Sequence, residues 1–289
     1  MSHVVFEGED TDIIKKMEIN EIPESIYYYT NIDAFYNIVL NNQLWFGCTA
    51  SMNDINEMTD FVIKLKNRLL QKYADDKSSL DKVNEIFDSL ILKYPYAMCF
   101  SKYEDNAAQW ERYADYARGI CIKFDSFKLL KLLYYSGGHM RAISYDYEPS
   151  NHAIYTEIIE YISNGVLKWG TKEKCIQYIR EQIQLIANMR KHKSFITEGE
   201  IRFSTVWDMC FKDSYKEYKS INGVIREFVI LELGKYFKNR KMSFEDIITE
   251  IRIGPRSMQT MVEIKGFLCN NEYDFLADRV YKSDCALRR

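Results

Sequence analysis

The chain has 289 residues, of which 47% are hydrophobic and 28% are charged, and its formal net charge is −3 at pH 7. This composition is ordinary for a soluble globular protein with one large core or two smaller ones. It excludes the basic excess that is typical of a duplex-binding module, although a net charge averages over all faces and leaves room for a local basic groove.

Cysteine and histidine usage indicates neither a disulfide framework nor a metal site. The seven cysteines are odd in number, widely spaced and without a CxxC pair, and only four histidines are present. Free thiols fit a reducing cytosol. The N-terminal MSHVVFEGEDTD has no signal-peptide pattern, and no run approaches the ~18 apolar residues of a membrane span. We therefore expect a cytoplasmic protein with no membrane partner and no bound metal.

The predicted elements alternate between short strands and helices after an irregular lead-in. Aromatic and β-branched runs mark the strands, which are predicted over 25–30, 43–47, 96–101, 120–125, 141–148, 200–207, 227–233, 248–254 and 278–284. Apolar residues spaced three and four apart mark the helices, which are predicted over 32–42, 57–73, 79–93, 106–119, 151–164, 171–191 and 257–269.

No regular βαβ repeat runs through this order of elements. The pattern predicts an α+β fold, in which a mixed, mainly antiparallel sheet packs against helices. We predict a single domain over residues 1–289, with a lead-in segment at 1–24 and a helical insertion at 151–191. The residues expected to be largely buried in its core are Phe100, Trp110, Tyr113, Cys121 and Phe124.

Two carboxylates stand at the entry to a predicted strand, in the segment FITEGEIRFSTVW. At strand spacing, Glu198 and Glu200 share one face, and they repel each other unless a cation such as Arg202 lies near. A carboxylate placed in this way can hold a ribose hydroxyl or stabilise the oxocarbenium ion that forms as a glycosidic bond breaks. The alternative is a polar strand entry whose charge is balanced by Arg202.

Two further polar segments follow predicted strands. The segment YYYTN places Tyr29 and Thr30 where a strand meets a helix, and the N–H groups of a helix N-terminus can bind an anion. The alternative for this pair is a core aromatic residue and a helix cap. The segment SMNDINE carries Ser51, Asn53 and Asp54, whose short side chains favour turns and caps. We predict that this loop lines the same cleft as Thr30.

These motifs resemble, in order, those of a large and mostly bacterial family of unknown function. That family has an aromatic-x-Thr start, an FNDPFE-like loop, a CFS…W…YA…G.C..FD block, an E.EWR strand and a late GP. The corresponding segments here are YYYTN (27–31), SMNDINE (51–57), CFSKYEDNAAQWERYADYARGICIKFD (99–125), EGEIRF (198–203) and IRIGP (251–255). NDINE replaces NDPFE, and Ile201 replaces the usual Trp. The resemblance implies membership of that family but no particular activity.

The same layout is also similar to that of NAD-dependent ADP-ribosyltransferases, including those that modify DNA or RNA bases. This second resemblance implies that NAD is a substrate, that Glu200 is catalytic, and that Glu198 lies beside it. It assigns NAD contacts to Tyr29 and Thr30 and nicotinamide stacking to Trp45 or Phe46. The predicted NAD site is completed by Ser51, Asn53, Asp54 and Arg202.

Two functions of different classes remain open. The first is an enzyme that cleaves NAD and transfers ADP-ribose to a nucleic acid or protein, as a toxin or a phage-defence effector. The second is a non-catalytic sensor that binds a nucleotide or a protein. The enzyme requires the predicted residues to converge on one cleft, whereas in the sensor they can scatter, or Arg202 can lock Glu200. A nuclease would gather a metal on acidic residues that no motif spacing supports, namely Asp54, Glu57, Glu198 and Glu200.

Overall fold

A computed structural model describes residues 22–52, 56, 58–134, 138–145, 148–165, 171–205, 209–211, 214–221, 223–234 and 244–287. Most of the predicted lead-in therefore lies outside the described residues. The chain divides into two compact units. We call one the sheet unit (Met1–Ser51, Pro95–Ala142 and Thr197–Arg289) and the other the helical unit (Met52–Tyr94 and Ile143–Ile196).

All described strands belong to the sheet unit. They are β1 (Ser25–Thr30), β2 (Gln43–Cys48), β3 (Tyr96–Ser101), β4 (Ile120–Asp125), β5 (His139–Ala142), β6 (Glu200–Ser204), β7 (Ser214–Ile221), β8 (Val224–Glu232), β9 (Ile248–Ile253) and β10 (Val280–Lys282). They form one sheet in the order β10-β9-β4-β1-β3-β2-β8-β7, with β6 paired to β3 and β5 paired to β6 beside this path. Only β9 and β10 pair in parallel among these strands. The predicted α+β fold with a mainly antiparallel sheet is confirmed.

The described helices fall in both units. Those of the sheet unit are α1 (Ile32–Asn41), α4 (Ala107–Tyr113), α5 (Ser126–Tyr134), α8 (Phe244–Ile247), α9 (Met261–Asn270) and α10 (Asp274–Ala277). Those of the helical unit are α2 (Thr59–Lys72), α3 (Lys77–Asp88), α6 (Ala153–Asn164) and α7 (Lys172–Asn188). Every predicted helix is observed, and the sequence pattern did not predict α5, α8, α10 or strand β7.

Side-chain caps fix where several helices begin. The Asn31 side chain caps α1 by accepting a hydrogen bond from the Ala34 N–H at 2.8 Å. Helix α3 has two serines in its first turn, Ser78 and Ser79, but neither of them caps it. The carboxylate of Asp76 instead accepts from the N–H groups of both serines, because an acidic side chain at this position pairs with free N–H groups and favours the helix dipole.

The sheet carries a different core on each face. One face and its helices form an apolar cluster that includes Ile26, Phe46, Phe124 and Phe203. The other face carries a smaller cluster of Tyr27, Tyr29, Trp110, Ala114, Ala117 and Cys121. We call these the apolar face and the aromatic face. Of the predicted core residues, Phe100, Trp110, Cys121 and Phe124 are buried, and Tyr113 is half-buried.

The helical unit has a core of its own. Its four helices bury apolar residues that include Leu65, Val83, Ile158 and Ile179. The predicted insertion at 151–191 lies wholly in this unit, together with the separate segment Met52–Tyr94. The single domain and the insertion both stay predictions. Within the described residues, every helix is too short or too polar to cross a membrane.

Candidate functional site

Backbone pairing lines up three residues across the centre of the sheet. Tyr27 on β1 pairs with Ser101 on β3, and Ser101 pairs with Glu200 on β6. Residues directly opposite each other on paired strands share a face of the sheet. Glu200 therefore lies on the aromatic face, which also carries Tyr29. Thr30 follows Tyr29 by one residue and consequently lies on the apolar face.

Glu200 is locked by Arg202. The Arg202 Nε donates to Glu200 Oε1 at 2.8 Å, and the Arg202 Nη2 lies 2.7 Å from the same oxygen. The Glu200 side chain is 4% exposed and that of Arg202 is 0% exposed. Two charges that leave water together need this close pairing, because either one alone would be a strongly unfavourable buried charge. The sequence-based alternative of a balanced strand entry is thus observed for Glu200.

Glu198 does not share the strand with Glu200, so the prediction of two carboxylates at strand spacing is wrong. Strand β6 begins at Glu200, and Glu198 ends a short 3₁₀ helix, Lys193–Glu198. Gly199 separates them in the left-handed conformation, with φ of +51°. A Cβ at this position would lie 2.5 Å from a ring carbon of Tyr103. Glycine is therefore required, and it turns the chain between the two acids.

Four side chains hold Glu198. Its backbone carbonyl accepts hydrogen bonds from Ser101 Oγ at 2.8 Å and from Gln109 Nε2 at 3.0 Å. Its carboxylate Oε1 accepts a hydrogen bond from the Tyr113 hydroxyl and lies 3.4 Å from Arg112 Nη1. We call these five residues the Glu198 site. Bonds to an ionised acceptor are stronger than neutral ones, so the carboxylate is well oriented.

The two carboxylates differ in how close their partners lie to solvent. Glu198 itself is 3% exposed, but its cation Arg112 is 45% exposed, and Tyr113 is half-buried. The cation of Glu200 is enclosed. A ligand that approached the Glu198 site would therefore meet Arg112 and Tyr113 first, whereas Glu200 and its cation are both almost fully buried.

Tyr29 lies on the same face as Glu200, but its polar atom is already used. Its hydroxyl donates to the Tyr103 carbonyl at 2.9 Å and accepts from the Asn106 N–H at 3.0 Å. Its ring meets Trp110 edge-on at 5.0 Å. Burial raises the pKa of Tyr29 above its usual value. Thr30 is buried on the opposite face. The predicted convergence of both residues with Glu200 on one cleft is therefore not observed.

The remaining predicted contacts are separated along the chain and across the sheet. Phe46 is fully buried in the apolar face, against Phe203. Trp45 lies on the other face, beside Phe228, with the ammonium of Lys219 5.2 Å from its ring centre. Ser51 is exposed at the end of a 3₁₀ turn. The rest of that loop, Asn53, Asp54 and Glu57, lies outside the described residues.

An aspartate fixes the C-terminal segment to the aromatic face. Asp105 accepts hydrogen bonds from the Trp110 indole N–H at 2.7 Å, the Ser283 hydroxyl and the Asp284 N–H at 2.9 Å. Burial alone would raise the pKa of Asp105, but these donors, together with Arg252, hold it below the ordinary value of 3.8. The C-terminal segment thereby covers part of the aromatic cluster.

Sequence reasoning missed Ser101, Gln109 and Arg112. The helical spacing that predicts a buried Trp110 also places residues 109, 112 and 113 on one stripe, at i, i+3 and i+4. That stripe indicates a polar face on α4.

The described residues include no group of three histidine, cysteine or acidic side chains arranged to hold a metal ion.

Comparison with known proteins gives one match. A family model described as "Protein of unknown function (DUF2971)" matches residues 109–203. A search of curated proteins finds no match, and a search of solved structures finds none either. The matched segment begins at Gln109 and ends at Phe203, so it includes Arg112, Tyr113 and Glu198. Over residues 109–203, the chain is therefore similar to an uncharacterised family.

Proposed function

We propose that the sheet unit cleaves NAD and that Glu198 is the carboxylate that meets the ribose. The single observation that carries this proposal is the contrast between the two acids. Glu198 is oriented by Arg112 and Tyr113, both of which reach solvent in part. Glu200 is enclosed with Arg202. The acceptor of the ADP-ribose is a nucleic acid, a protein or, in a glycohydrolase, water.

The chemistry needs an oriented negative charge. When the bond between ribose C1′ and the nicotinamide nitrogen breaks, its electron pair leaves with nicotinamide, which becomes neutral. Positive charge then develops on C1′ and the ring oxygen of the ribose. The Glu198 carboxylate can stabilise that charge or accept a hydrogen bond from a ribose hydroxyl. Because Arg112 and Tyr113 already fix its position, little reorganisation is needed.

The Glu200–Arg202 pair has a positioning role in this proposal. Glu200 is two residues from Glu198 and pairs in the sheet with Ser101, which bonds the Glu198 carbonyl. The ion pair thus fixes the start of β6, from which the turn at Gly199 leads back to the site. Its effect on catalysis acts through Glu198 rather than through contact with the ribose.

The test is release of nicotinamide from labelled NAD by the purified full-length chain, with DNA, RNA or protein as added acceptor. Glu198→Gln keeps the size of the side chain and removes its charge. It should lower the rate by about 10²–10³-fold, as expected when one group that stabilises developing charge is removed. Glu111→Gln is the matched control, because Glu111 lies on α4 but pairs with Arg256 instead. Wild-type protein that releases no nicotinamide with any acceptor would contradict the proposal.

A second candidate function is a non-catalytic sensor that binds a nucleotide or a protein. It is favoured by the internal contacts of Tyr29, Phe46 and Glu200, three of the residues assigned to NAD. If the protein is a sensor that binds NAD, NAD should raise its melting temperature while no nicotinamide is released.

The enzyme hypothesis is also compatible with a toxin or phage-defence effector. In that case, expression of wild-type protein should arrest growth and expression of Glu198→Gln should not.

A further inference from the structure

Strand β7 is a long open edge of the sheet. It pairs with β8 over all eight of its residues, and among the described strands it has no partner on its other side. Other edge strands are much shorter, since β10 has three residues and β5 has four. A short edge is a common protection against unwanted strand pairing. An edge of eight residues offers a row of N–H and C=O groups to another strand.

The residues that point these groups outward can be identified. Ile221 pairs with Val224 across a two-residue connection. In such a turn the carbonyl of the first flanking residue accepts from the N–H of the second. Along an antiparallel pair, residues that exchange bonds with the partner alternate with residues that point away from it. The odd-numbered residues of β7 therefore bond to β8, and Lys216, Tyr218 and Ser220 direct their backbone groups to the open edge.

This parity restricts how two β7 strands could pair with each other. Outward-pointing residues must face one another, so the two-fold axis of an antiparallel pair passes between one residue and its own copy. Centring on Glu217 or on Lys219 sets like charges directly opposite each other. Centring on Tyr218 places Glu217 opposite the second copy's Lys219, and the reverse, so that two opposite-charge pairs form. Centring on Lys216 sets two lysines against each other, and centring on Ser220 sets Lys219 against Ile221. The sequence SYKEYKSI is thus complementary to itself in one register.

We propose that β7 is a docking edge for a second copy of this chain, with a two-fold axis at Tyr218. In this arrangement the two sheets become continuous, and Tyr215 lies opposite the second copy's Ile221. The side chain of Tyr218 is 65% exposed in one copy and would face its own equivalent. Glu217 and Lys219 already contact each other within one copy. The dimer therefore joins two such pairs into a network of four alternating charges.

The lysines restrict which strands can pair with the edge of β7. Charged side chains on an edge strand disfavour pairing with an arbitrary strand, because they lose water without gaining a partner. A strand with an acid opposite Lys219 adds a second partner to the contact that Lys219 already makes with Glu217, and the second copy of β7 supplies such an acid. Cross-strand pairs of opposite charge and of aromatic with β-branched residues both stabilise an antiparallel ladder.

The first test removes one outward N–H group. Tyr218→Pro loses the donor at the centre of the dimer but no bond to β8, and proline is tolerated on an edge strand whose N–H faces solvent. Sedimentation measured over a roughly 100-fold range of protein concentration gives the dimer dissociation constant of the full-length chain. We expect Tyr218→Pro to raise it at least about tenfold, because two symmetric hydrogen bonds are lost. Tyr218→Ala is the matched control and should raise it only about twofold to fivefold.

The second test exchanges the charges. Glu217→Lys alone sets lysine against lysine across the axis, and Lys219→Glu alone sets acid against acid, so each variant should be monomeric. An equimolar mixture of the two should form a heterodimer, in which both pairs are again complementary. The double variant should dimerise as wild type does. A wild-type chain that stays monomeric at its highest soluble concentration would overturn the proposal, and so would a dimer whose charge variants are not rescued by mixing.

Discussion

The two faces of the sheet bury different kinds of side chain. The apolar face is covered mainly by hydrophobic side chains such as Ile26, Phe46 and Phe203, and its stability follows from the apolar area removed from water. The aromatic face also excludes water, but its neighbourhood includes the buried charges of Glu198, Glu200 and Arg202. Buried charges carry a desolvation cost that a hydrophobic replacement avoids. Such groups are therefore candidates for function, whereas the apolar face explains the fold.

The largest effect should come from emptying the aromatic face. Trp110→Ala removes a fully buried indole and its hydrogen bond to Asp105. It should lower the free energy of unfolding by about 3–5 kcal/mol, because the surrounding structure fills such a cavity only in part. Urea denaturation measures the change, and Trp110→Phe should lose clearly less. An unchanged midpoint for Trp110→Ala would show that this face contributes little to stability.

Breaking the buried ion pair should cost a similar or slightly smaller amount. Arg202→Met leaves Glu200 as an uncompensated buried charge and should destabilise the protein by about 3–4 kcal/mol. The double variant Arg202→Met/Glu200→Leu removes both charges and should recover most of that loss. Denaturation of the three proteins under identical conditions decides the point. If the double variant is as unstable as the single one, the cost does not arise from an unpaired charge.

The link from Asp105 to the C-terminal segment should have a moderate, pH-dependent effect. Asp105→Asn weakens bonds to an ionised acceptor and should cost about 1–2 kcal/mol at pH 7. Because the pKa of Asp105 is lowered in the folded protein, its contribution is complete above the ordinary value and is lost as the pH falls through the lower folded value. The stability difference between wild type and Asp105→Asn should therefore shrink below about pH 4. A difference that grows on acidification would contradict this assignment.

The smallest effect concerns backbone strain after α4. Asp115, Tyr116 and Ala117 all have positive φ, at 48°, 53° and 70°, a conformation that costs a non-glycine residue about 1–2 kcal/mol. Tyr116 is exposed, so Tyr116→Gly removes few contacts and should stabilise the protein by roughly 0.5 kcal/mol after the added freedom of the unfolded chain is counted. Tyr116→Ala removes the same side chain but keeps the Cβ, and its melting temperature should not rise.

Local patterns predicted the elements whose side chains alternate in polarity or repeat at helical spacing. Strands β1, β3 and β4 were predicted with their observed bounds, because each is an aromatic or aliphatic run. Strand β7 was not predicted, since SYKEYKSI is largely polar on both faces. A strand at the edge of a sheet needs little apolar surface, so the hydrophobic pattern that marks inner strands is absent there.

The candidate site was predicted less well than the fold. The pairing of Glu200 with Arg202 follows from strand spacing and was predicted as an alternative. The partners of Glu198 were not, because contacts between Glu198 and residues 101–113 join segments that are far apart in the chain. Gly199 also matters, since its left-handed backbone removes Glu198 from the strand. A period-two pattern cannot detect that change of direction.

The central claim is that Glu198 rather than Glu200 is the functional carboxylate, and it is tested most directly by comparing Glu198→Gln with Glu200→Gln. The rate of nicotinamide release is measured for both variants and divided by the folded fraction of each protein. We predict that Glu198→Gln stays folded and loses about 10²–10³-fold in rate. We expect Glu200→Gln to lose stability while each folded molecule retains more activity than Glu198→Gln. A Glu198→Gln variant that releases nicotinamide at the wild-type rate would contradict the claim.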